Sequence, residues 1–439
     1  MPMEASKRKG ETKRQHYVPQ FILRNFSRDD RNTSILRLDD GLVVPAGPLK
    51  SQCYEDYFYG EDQAMEKSFA KSEAEVSGLL GDLSHEQLAS IPTDALIRLK
   101  NFVHYQTFRT RAAVEQQAEF VASFIKQATL TTQRLNGKAI DAEALSAVRL
   151  INPNGVSDAI WQAARSTPAL HDLGVKFLVS EHSLGFVIAD HPVVYCNQLA
   201  EHDEHLRKRP NLTGFLSKGL QVFLPLSSSV TMMLYDPLTY EFHTEGPVCR
   251  VGPRDVTFLN KAQAVNALKC VFFDSTRTTH AVRGKPKVGF NLIAEMLDCR
   301  RRHPDVHRTQ IQSTELYRKP GNSMGQMVAV ARNDVRVGAV YSFLRVLDHS
   351  SYADFDGPAA PERSREQTEF VQTYAHFVDM LDEEQRETST PLEEVSDETI
   401  HRIALSATRR YQRRTRWDLL SRFDHTPDDL AFAKSELSA

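Results

Sequence analysis

Cysteine is scarce: there are five in 439 residues, Cys53, Cys196, Cys249, Cys270 and Cys299, spread far apart with no Cys-x-x-Cys pair and no zinc-finger spacing. That excludes a disulfide framework and a sulfur-ligated zinc module, and fits reduced thiols in a cytosol. Long apolar runs are missing as well. No stretch approaches the roughly 18 consecutive apolar residues of a spanning helix, and the basic start of the chain (Lys7, Arg8, Lys9, Lys13, Arg14) is not followed by the apolar core of a secretory signal. The sequence therefore reads as cytoplasmic, with no membrane partner. An excess of one charge sign is absent too, since 54 Lys and Arg meet 57 Asp and Glu to leave −3. No whole-chain field drives the protein onto nucleic acid, and any basic surface must be local.

What is present is a globular composition: 41% hydrophobic and 25% charged residues with 20 Gly and 20 Pro, which excludes a collagen, a coiled coil and a wholly disordered chain. The length allows two or three domains at about 150 residues each. Residues 1–14 are polar, basic and aperiodic, a disordered tail by composition, so order is expected from Gln15. Pro19 suits a first helical turn, and Val18, Ile22 and Phe26 keep helical spacing, predicting a short helix over 19–26. Ile35–Leu38 and Leu42–Val44 flank Asp39-Asp40-Gly41, predicting a β-hairpin closed by a two-residue Asp-Gly turn.

Helical spacing then predicts a helix over 61–83 and one long helix from Asp94, with Thr93 as N-cap, to about Leu130. Between them, Ser84 and Gln87 fit a capping box. Ser157 is placed as the cap of a further helix to about His171. Phe177–Val179, Phe186–Ile188, Val222–Leu224 and Val230–Leu234 are short apolar runs that read as strands of one mostly antiparallel sheet, closed by a helix over 254–269. Residues 276–361 read as an irregular charged extension ending in the linker Gly357–Pro361, and 362–439 as a helical segment with runs over 362–387 and 397–423. The expected class is α+β: a helical layer on an antiparallel-dominated sheet, with a C-terminal helical extension.

Gln15-His16-Tyr17-Val18-Pro19-Gln20-Phe21-Ile22-Leu23-Arg24-Asn25-Phe26 resembles, nearly residue for residue, the opening signature of a bacterial family, domain of unknown function 4238. Phe186-Val187-Ile188-Ala189-Asp190-His191-Pro192-Val193-Val194 resembles its strand ending in Asp-x-Pro, with Ala189 and His191 in place of Ser and Asn. Phe223-Leu224-Pro225-Leu226-Ser227 resembles its Pro-Leu-Ser segment, and Glu66, Glu73 and Arg109 are weaker matches. The resemblance spans residues 15–275 as one core domain and implies no assigned activity.

Chemistry is suggested by a violation of amphipathic patterning. On the first long helix Glu66, Phe69, Glu73, Val76 and Leu80 share a face, and on the second Leu99, Phe102, Gln106, Arg109 and Ala113 do. Buried charges need partners, so Glu66 or Glu73 is expected to meet Arg109. One reading is a structural ion-pair network. The other adds His16 and Asp190 and makes the cluster a hydrolase site for an anionic, phosphodiester-type substrate. In that reading His16, Glu66, Glu73 and Asp190 are catalytic, Arg24, Gln106 and Arg109 hold the substrate, and Glu66, Glu73 and Asp190 ligate a divalent cation. Ser227 lacks a Gly-x-Ser-x-Gly setting, Glu201–His205 reads as solvated loop, and Cys196 as a packed thiol.

A second function class rests on the C-terminus. Arg402 to Arg422 holds seven Arg against Asp418, net +6, among them Arg409, Arg410, Arg413, Arg414 and Arg416, with Tyr411 and Trp417 interleaved. Such a segment suits nucleic acid or another anionic partner. Upstream, Asp379 to Glu398 carries nine acids against Arg386, net −8, so an antiparallel helix pair neutralising itself internally is the competing reading.

Overall fold

The computed structural model describes residues 12–135, 152, 154–202, 212–277, 292–304, 306, 309–318, 324–332, 334–347, 362–391 and 394–412. Regular structure begins one residue before the expected point, with β1 (Arg14–His16), followed by α1 (Gln20–Arg24) with Pro19 at its N-cap. β2 (Asn32–Arg37) and β3 (Val43–Pro48) form the predicted hairpin, and β4 (Tyr54–Asp56) returns antiparallel to β1. The hairpin turn is wider than a two-residue Asp-Gly turn: the ladder closes with Arg37 N–H on Leu42 O at 2.9 Å, and Gly41 takes φ +71°. Asp39 and Asp40 accept the amides of Asp40 and Leu42, which keeps residues 38–41 out of the ladder.

The helical layer follows as α2 (Ala64–Leu80), α3 (His85–Ala89), α4 (Ala95–Phe108), α5 (Arg111–Leu135) and α6 (Gly155–Arg165). Ser84 Oγ caps α3 by accepting Gln87 N–H at 3.2 Å, while the Gln87 amide donates to Leu79 O and not back to the cap. α4 and α5 were expected as one helix. They separate at Arg109–Thr110 because the Arg109 carbonyl accepts Tyr59 Oη–H and Thr110 Oγ1 accepts Ala113 N–H, starting a new first turn. Asp94, not Thr93, is the N-cap of α4, and Ser157 lies inside α6, whose N-cap is Asn154. The run to His171 is broken into α6 and a 3₁₀ turn, Thr167–Leu170, where Pro168 cannot continue an α-helix.

The apolar runs after it fall into two sheets, which corrects the single sheet expected. β5 (Gly174–Val179), β7 (Val194–Cys196), β8 (Gln221–Pro225), β9 (Val230–Tyr235) and β11 (Val248–Arg250) make a five-stranded sheet in the order β11-β5-β9-β8-β7. Only β11 and β5 run parallel in it. β6 (Ile188–Ala189) instead joins β12 (Cys270–Phe273) and the hairpin in an antiparallel sheet ordered β3-β2-β12-β6. Pro192 separates β6 from β7, so the chain changes sheets there. The short α7 (Gln198–His202) follows β7, and α8 (Pro253–Asn266) packs on β6 and β12 of one sheet and on β7 of the other.

Within 276–361, expected to be irregular, lie α9 (Leu292–Arg302), the antiparallel hairpin β13 (Thr309–Arg318) and β14 (Met324–Arg332), and β15 (Leu344–Val346), which pairs with β10 (Tyr240–Phe242). The Thr, Ile and Val residues of 309–332 are strand formers, a signal outweighed in the sequence by charge. The Gly357–Pro361 linker lies outside the described residues. α10 (Arg365–Thr388) and α11 (Asp397–Gln412) bury Phe377, Val378, Ile400 and Ile403 between them and against Trp161. The architecture is α+β, with helices on antiparallel-dominated sheets and a helical C-terminal part.

α4 is not amphipathic in place: every residue from Leu99 to Thr107 is buried. Its polar side chains each find a partner, Lys100 Nζ donating to His171 O at 2.6 Å, Asn101 Oδ1 accepting from His171 Nε2 at 2.7 Å, and Thr107 Oγ1 bonding Tyr195 Oη at 2.9 Å. His104 is 0% exposed, with Nε2 3.1 Å from both Ala163 O and Ser166 Oγ. Burial pushes its imidazole down to about 4 against the opposing Ala163 carbonyl.

The unfolded chain, with a histidine near ~6.5, then binds the extra proton as pH falls from about 6.5 to 4, and stability drops over that window by about 3 kcal/mol in all. Asp190, pushed up to about 6 by burial, works in the opposite sense, its contribution being lost as pH rises through that value. Comparing His104→Asn with the parent isolates the first term. Urea unfolding at neutral pH and near pH 4 is expected to show the gap between the two proteins narrowing by about 3 kcal/mol on acidification. An unchanged gap would mean that His104 accepts a proton in the fold without penalty.

Candidate functional site

The opening signature is pinned on both sides. In the register of β1 on β4, Gln15 faces inward and is fully buried, its Nε2 donating to Gly60 O at 2.9 Å and its Oε1 accepting Tyr59 N–H at 2.5 Å. His16, on the other face and half-buried, packs 5.7 Å from the Tyr54 ring. Where the chain leaves the strand for α1, the carbonyls of residues 16 and 17 lose ladder partners, and α4 supplies donors. Arg109 Nη2 reaches His16 O at 2.9 Å and Gln106 Nε2 reaches Tyr17 O at 2.9 Å.

The same guanidinium meets Glu73 Oε1 at 2.6 Å and Tyr59 Oη at 3.0 Å, with Cζ 4.3 Å from the Phe69 ring centroid. The predicted pairing of an α2 carboxylate with Arg109 is therefore present, and Glu73 makes it. Burial works against the Arg109 charge, but Tyr59 and Glu73 more than offset it and hold the guanidinium above its ordinary range. Burial raises Glu66, with Glu73 adding and Arg109 opposing. At His16, burial outweighs the bond to the Lys50 backbone carbonyl, Arg109 and Arg14 add repulsion, and the imidazole titrates below its usual value.

Four of the expected residues thus come together around Arg109 (His16, Glu73, Gln106 and Arg109 itself), with Glu66 in its electrostatic reach. Gln106 is fully buried and the Arg109 side chain is 3% exposed, so both hold backbone where substrate contact was expected. Asp190 does not join the cluster: its oxygens accept Leu268, Lys269 and Cys270 N–H at 2.7, 2.8 and 3.1 Å, clamping the turn between α8 and β12. The cation-ligand set Glu66, Glu73 and Asp190 is therefore not assembled. Among the described residues no group of three or more His, Cys, Asp or Glu side chains is placed to hold a metal ion.

Arg24 is exposed, 3.4 Å from Gln20 Oε1, and Gln20 Nε2 lies 2.8 Å from His16 Nε2. Ser227 Oγ accepts the amides of Ser229 and Val230, which is turn chemistry. Burial lifts the Cys196 thiol well above its ordinary range. Glu201 and His202 close a short helix, Gln198–His202, and the rest of that acidic stretch lies outside the described residues. At the C-terminus Arg402 pairs with Glu384 of α10 at 2.7 Å, as internal neutralisation requires. The side chains of Arg409 and Arg410, and all of Arg413, Arg414 and Arg416, lie outside the described residues.

Several residues that shape this region escaped the sequence reading. Tyr59 bridges Arg109 to the signature. On α8, Asn260, Gln263 and Asn266 form a ladder of amides along the backbone of 185–193: Asn260 bonds Val187 N–H and Gly185 O, Gln263 bonds Ala189 N–H and Pro192 O, and Asn266 bonds His191 O and Val193 O. Their i, i+3, i+6 spacing on one helix face was a legible signal. His191 Nδ1, 2.6 Å from Thr110 Oγ1, ties that motif to the α4–α5 break.

No curated protein and no solved structure matches the chain. The model of one family, described as protein of unknown function (DUF4238), matches residues 14–277. That span holds the pinned signature, the Arg109 cluster and the amide-laddered Asp-x-Pro segment, and the chain belongs to this family.

Proposed function

We propose that the protein is a non-catalytic binder of a polyanionic partner, with the Arg109 cluster as the clamp that shapes its binding face. Hydrolysis would need His16, Glu66, Glu73, Arg109 and Asp190 around one opening, whereas Asp190 is turned into three amides and Arg109 is sealed beneath the signature. A narrow core cavity lined by Phe186, Phe223, Leu259 and Gln263 is too tight for a water molecule and contains neither His16 nor Glu66.

The observation that carries the reading is a group of exposed cations beside that clamp. Arg14, Arg24 and Lys50 are exposed around His16, and among the described residues none of the three has an acidic partner. The acids beside them are engaged, Asp56 with Lys13 and Glu55 with Arg111. The C-terminal Arg segment would add to the same electrostatic attraction.

Calorimetric titration of the full chain with a polyphosphate chain tests the reading. Binding is expected at about 50 mM salt and should weaken at least tenfold by about 200 mM, with Glu66→Gln within twofold of the parent. Absence of salt-sensitive binding would sink the proposal, and loss of binding in Glu66→Gln would return the cluster to the substrate-handling role.

A further inference from the structure

The face around His16 carries more than charge. Arg14 and His16 alternate with buried Gln15, so both side chains stand on the outer face of β1, opposite Asp56 and Tyr54 of β4. The Arg14 guanidinium lies over the Tyr54 ring, Cζ 4.8 Å from its centroid, and the His16 ring abuts the same tyrosine. This cation–π contact holds a group that is otherwise free to swing. From His16 the contacts run on through Gln20 to Arg24, and the Lys50 backbone sits against the imidazole. Exposed Arg24 and Lys50 therefore neighbour the His16 side of the Arg14–Tyr54 pair.

A small phosphate ester would need a concave pocket to be held. An extended strand does not: phosphates along an open basic track gain affinity by counterion release, and unstacked bases lie on aromatic or guanidinium planes. Building on the proposed polyanion binding, we infer that this face binds single-stranded nucleic acid, with Arg14, Arg24 and Lys50 on the phosphates and a base against the Arg14–Tyr54 pair. A duplex keeps its bases paired and offers only the phosphate part.

Fluorescence anisotropy with a labelled thymidine strand of about 12 nucleotides, an abasic strand of equal length and a polyphosphate chain tests this on the full-length protein. The thymidine strand is expected to bind about tenfold tighter than the abasic strand. The combined Arg14→Gln, Arg24→Gln, Lys50→Gln protein is expected to lose at least tenfold in affinity, with the log–log salt slope shallower by about 2. The combination Arg250→Gln, Arg302→Gln, Arg345→Gln removes the same charge from exposed positions elsewhere and is expected to leave both quantities unchanged. Tyr54→Leu should erase the preference for bases and keep the salt slope.

Equal affinity for abasic and thymidine strands, or equal losses in the two triple variants, overturns the single-strand assignment while polyanion binding stands. No binding to any of the three probes overturns polyanion binding itself. Matching melting curves for all variants would confine the losses to the surface.

Discussion

Arg109→Ala is expected to destabilise the fold by about 3–5 kcal/mol, the usual result of removing one partner from a buried ion pair. The loss has three parts. Glu73, whose side chain is 23% exposed, keeps some water and can relax outward, so its share is moderate. The His16 carbonyl keeps only the 3.3 Å bond from Tyr59 Oη–H once the 2.9 Å guanidinium bond goes, and Tyr59 Oη loses the donor at its own oxygen, where the Arg109 side chain is 3% exposed. Arg109→Lys preserves charge but presents a compact ammonium that cannot satisfy Glu73, Tyr59 and His16 O from one plane, and most of the loss should remain.

The decisive comparison is with Glu73→Leu and the double change Arg109→Met with Glu73→Leu. If the pair matters only as charges, the double variant should approach the parent, as apolar replacements of buried pairs often do. The bonds to the signature predict otherwise. The double variant should stay about 1–3 kcal/mol below the parent, because the carbonyl of residue 16 is left with only the longer bond from Tyr59 and Tyr59 Oη has lost the Arg109 donor. Urea unfolding of the parent, Arg109→Met, Glu73→Leu and the double variant closes the cycle, and full recovery in the double variant would show that Arg109 does not hold the signature.

This division of labour explains what was readable in advance. Glu73 and Arg109 stood on apolar faces of two helices, and burying them forced a partnership, so the pair was visible from spacing alone. What Arg109 does with its remaining donors depends on where β1 ends and α1 begins. The two carbonyls left unpaired at that junction are a property of three-dimensional register, which linear periodicity does not carry. Asp190 owes its surroundings to a related effect. It follows an apolar run, but β6 is only two residues long, so the chain around it depends on side chains for its hydrogen bonds. The amides of α8 and the carboxylate of Asp190 supply them.

The burial of α4 on all sides was legible in a cue that period analysis passes over. From Asn101 to Phe108 no residue carries a formal charge, and a helix without a charged face has no side to offer water. The two-sheet arrangement was not legible, because the apolar runs of β5, β6, β8 and β9 are alike in composition and only the crossing at Pro192 assigns β6 to the other sheet.

Arg363→Ala is expected to release the C-terminal helices from the core while leaving the core folded. Arg363 stood in the sequence as the second residue of a presumed appendage, yet its side chain is 1% exposed. It spends every N–H of the guanidinium: Nε and Nη2 on the two oxygens of Asp172, both at 2.7 Å, Nη2 again on Ala169 O at 3.1 Å, and Nη1 on Phe215 O and Ser217 O, both at 3.2 Å. One side chain thus joins the residue before α10 to the 3₁₀ turn after α6 and to the loop before β8.

Removing it strands the Ala169 and Phe215 carbonyls and a partly buried carboxylate and leaves Ser217 O with the Leu220 amide alone, a loss of about 3–5 kcal/mol by the same reasoning as for Arg109. The consequence differs because of what else holds α10. Gln367 reaches Pro168 O at 2.6 Å, Arg165 pairs with Asp379 at 2.7 Å, and Trp161 packs against the α10–α11 seam. These contacts all go to α6 and the 3₁₀ turn, so the helical pair should open as one local unit. Hydrogen exchange is expected to accelerate at least tenfold across α10 and α11 in Arg363→Ala, with β5, β8 and β9 at parental protection. Arg363→Lys should give nearly the same result, since three donors on one point cannot serve five acceptor contacts. The disturbance should also reach inward, because Phe215, whose carbonyl Arg363 holds, packs its ring 5.2 Å from His104 and 5.4 Å from Tyr195. Uniform acceleration across the β5–β9–β8 sheet would mean that the C-terminal helices and the core unfold as a single cooperative body, and the latch role of Arg363 would fall.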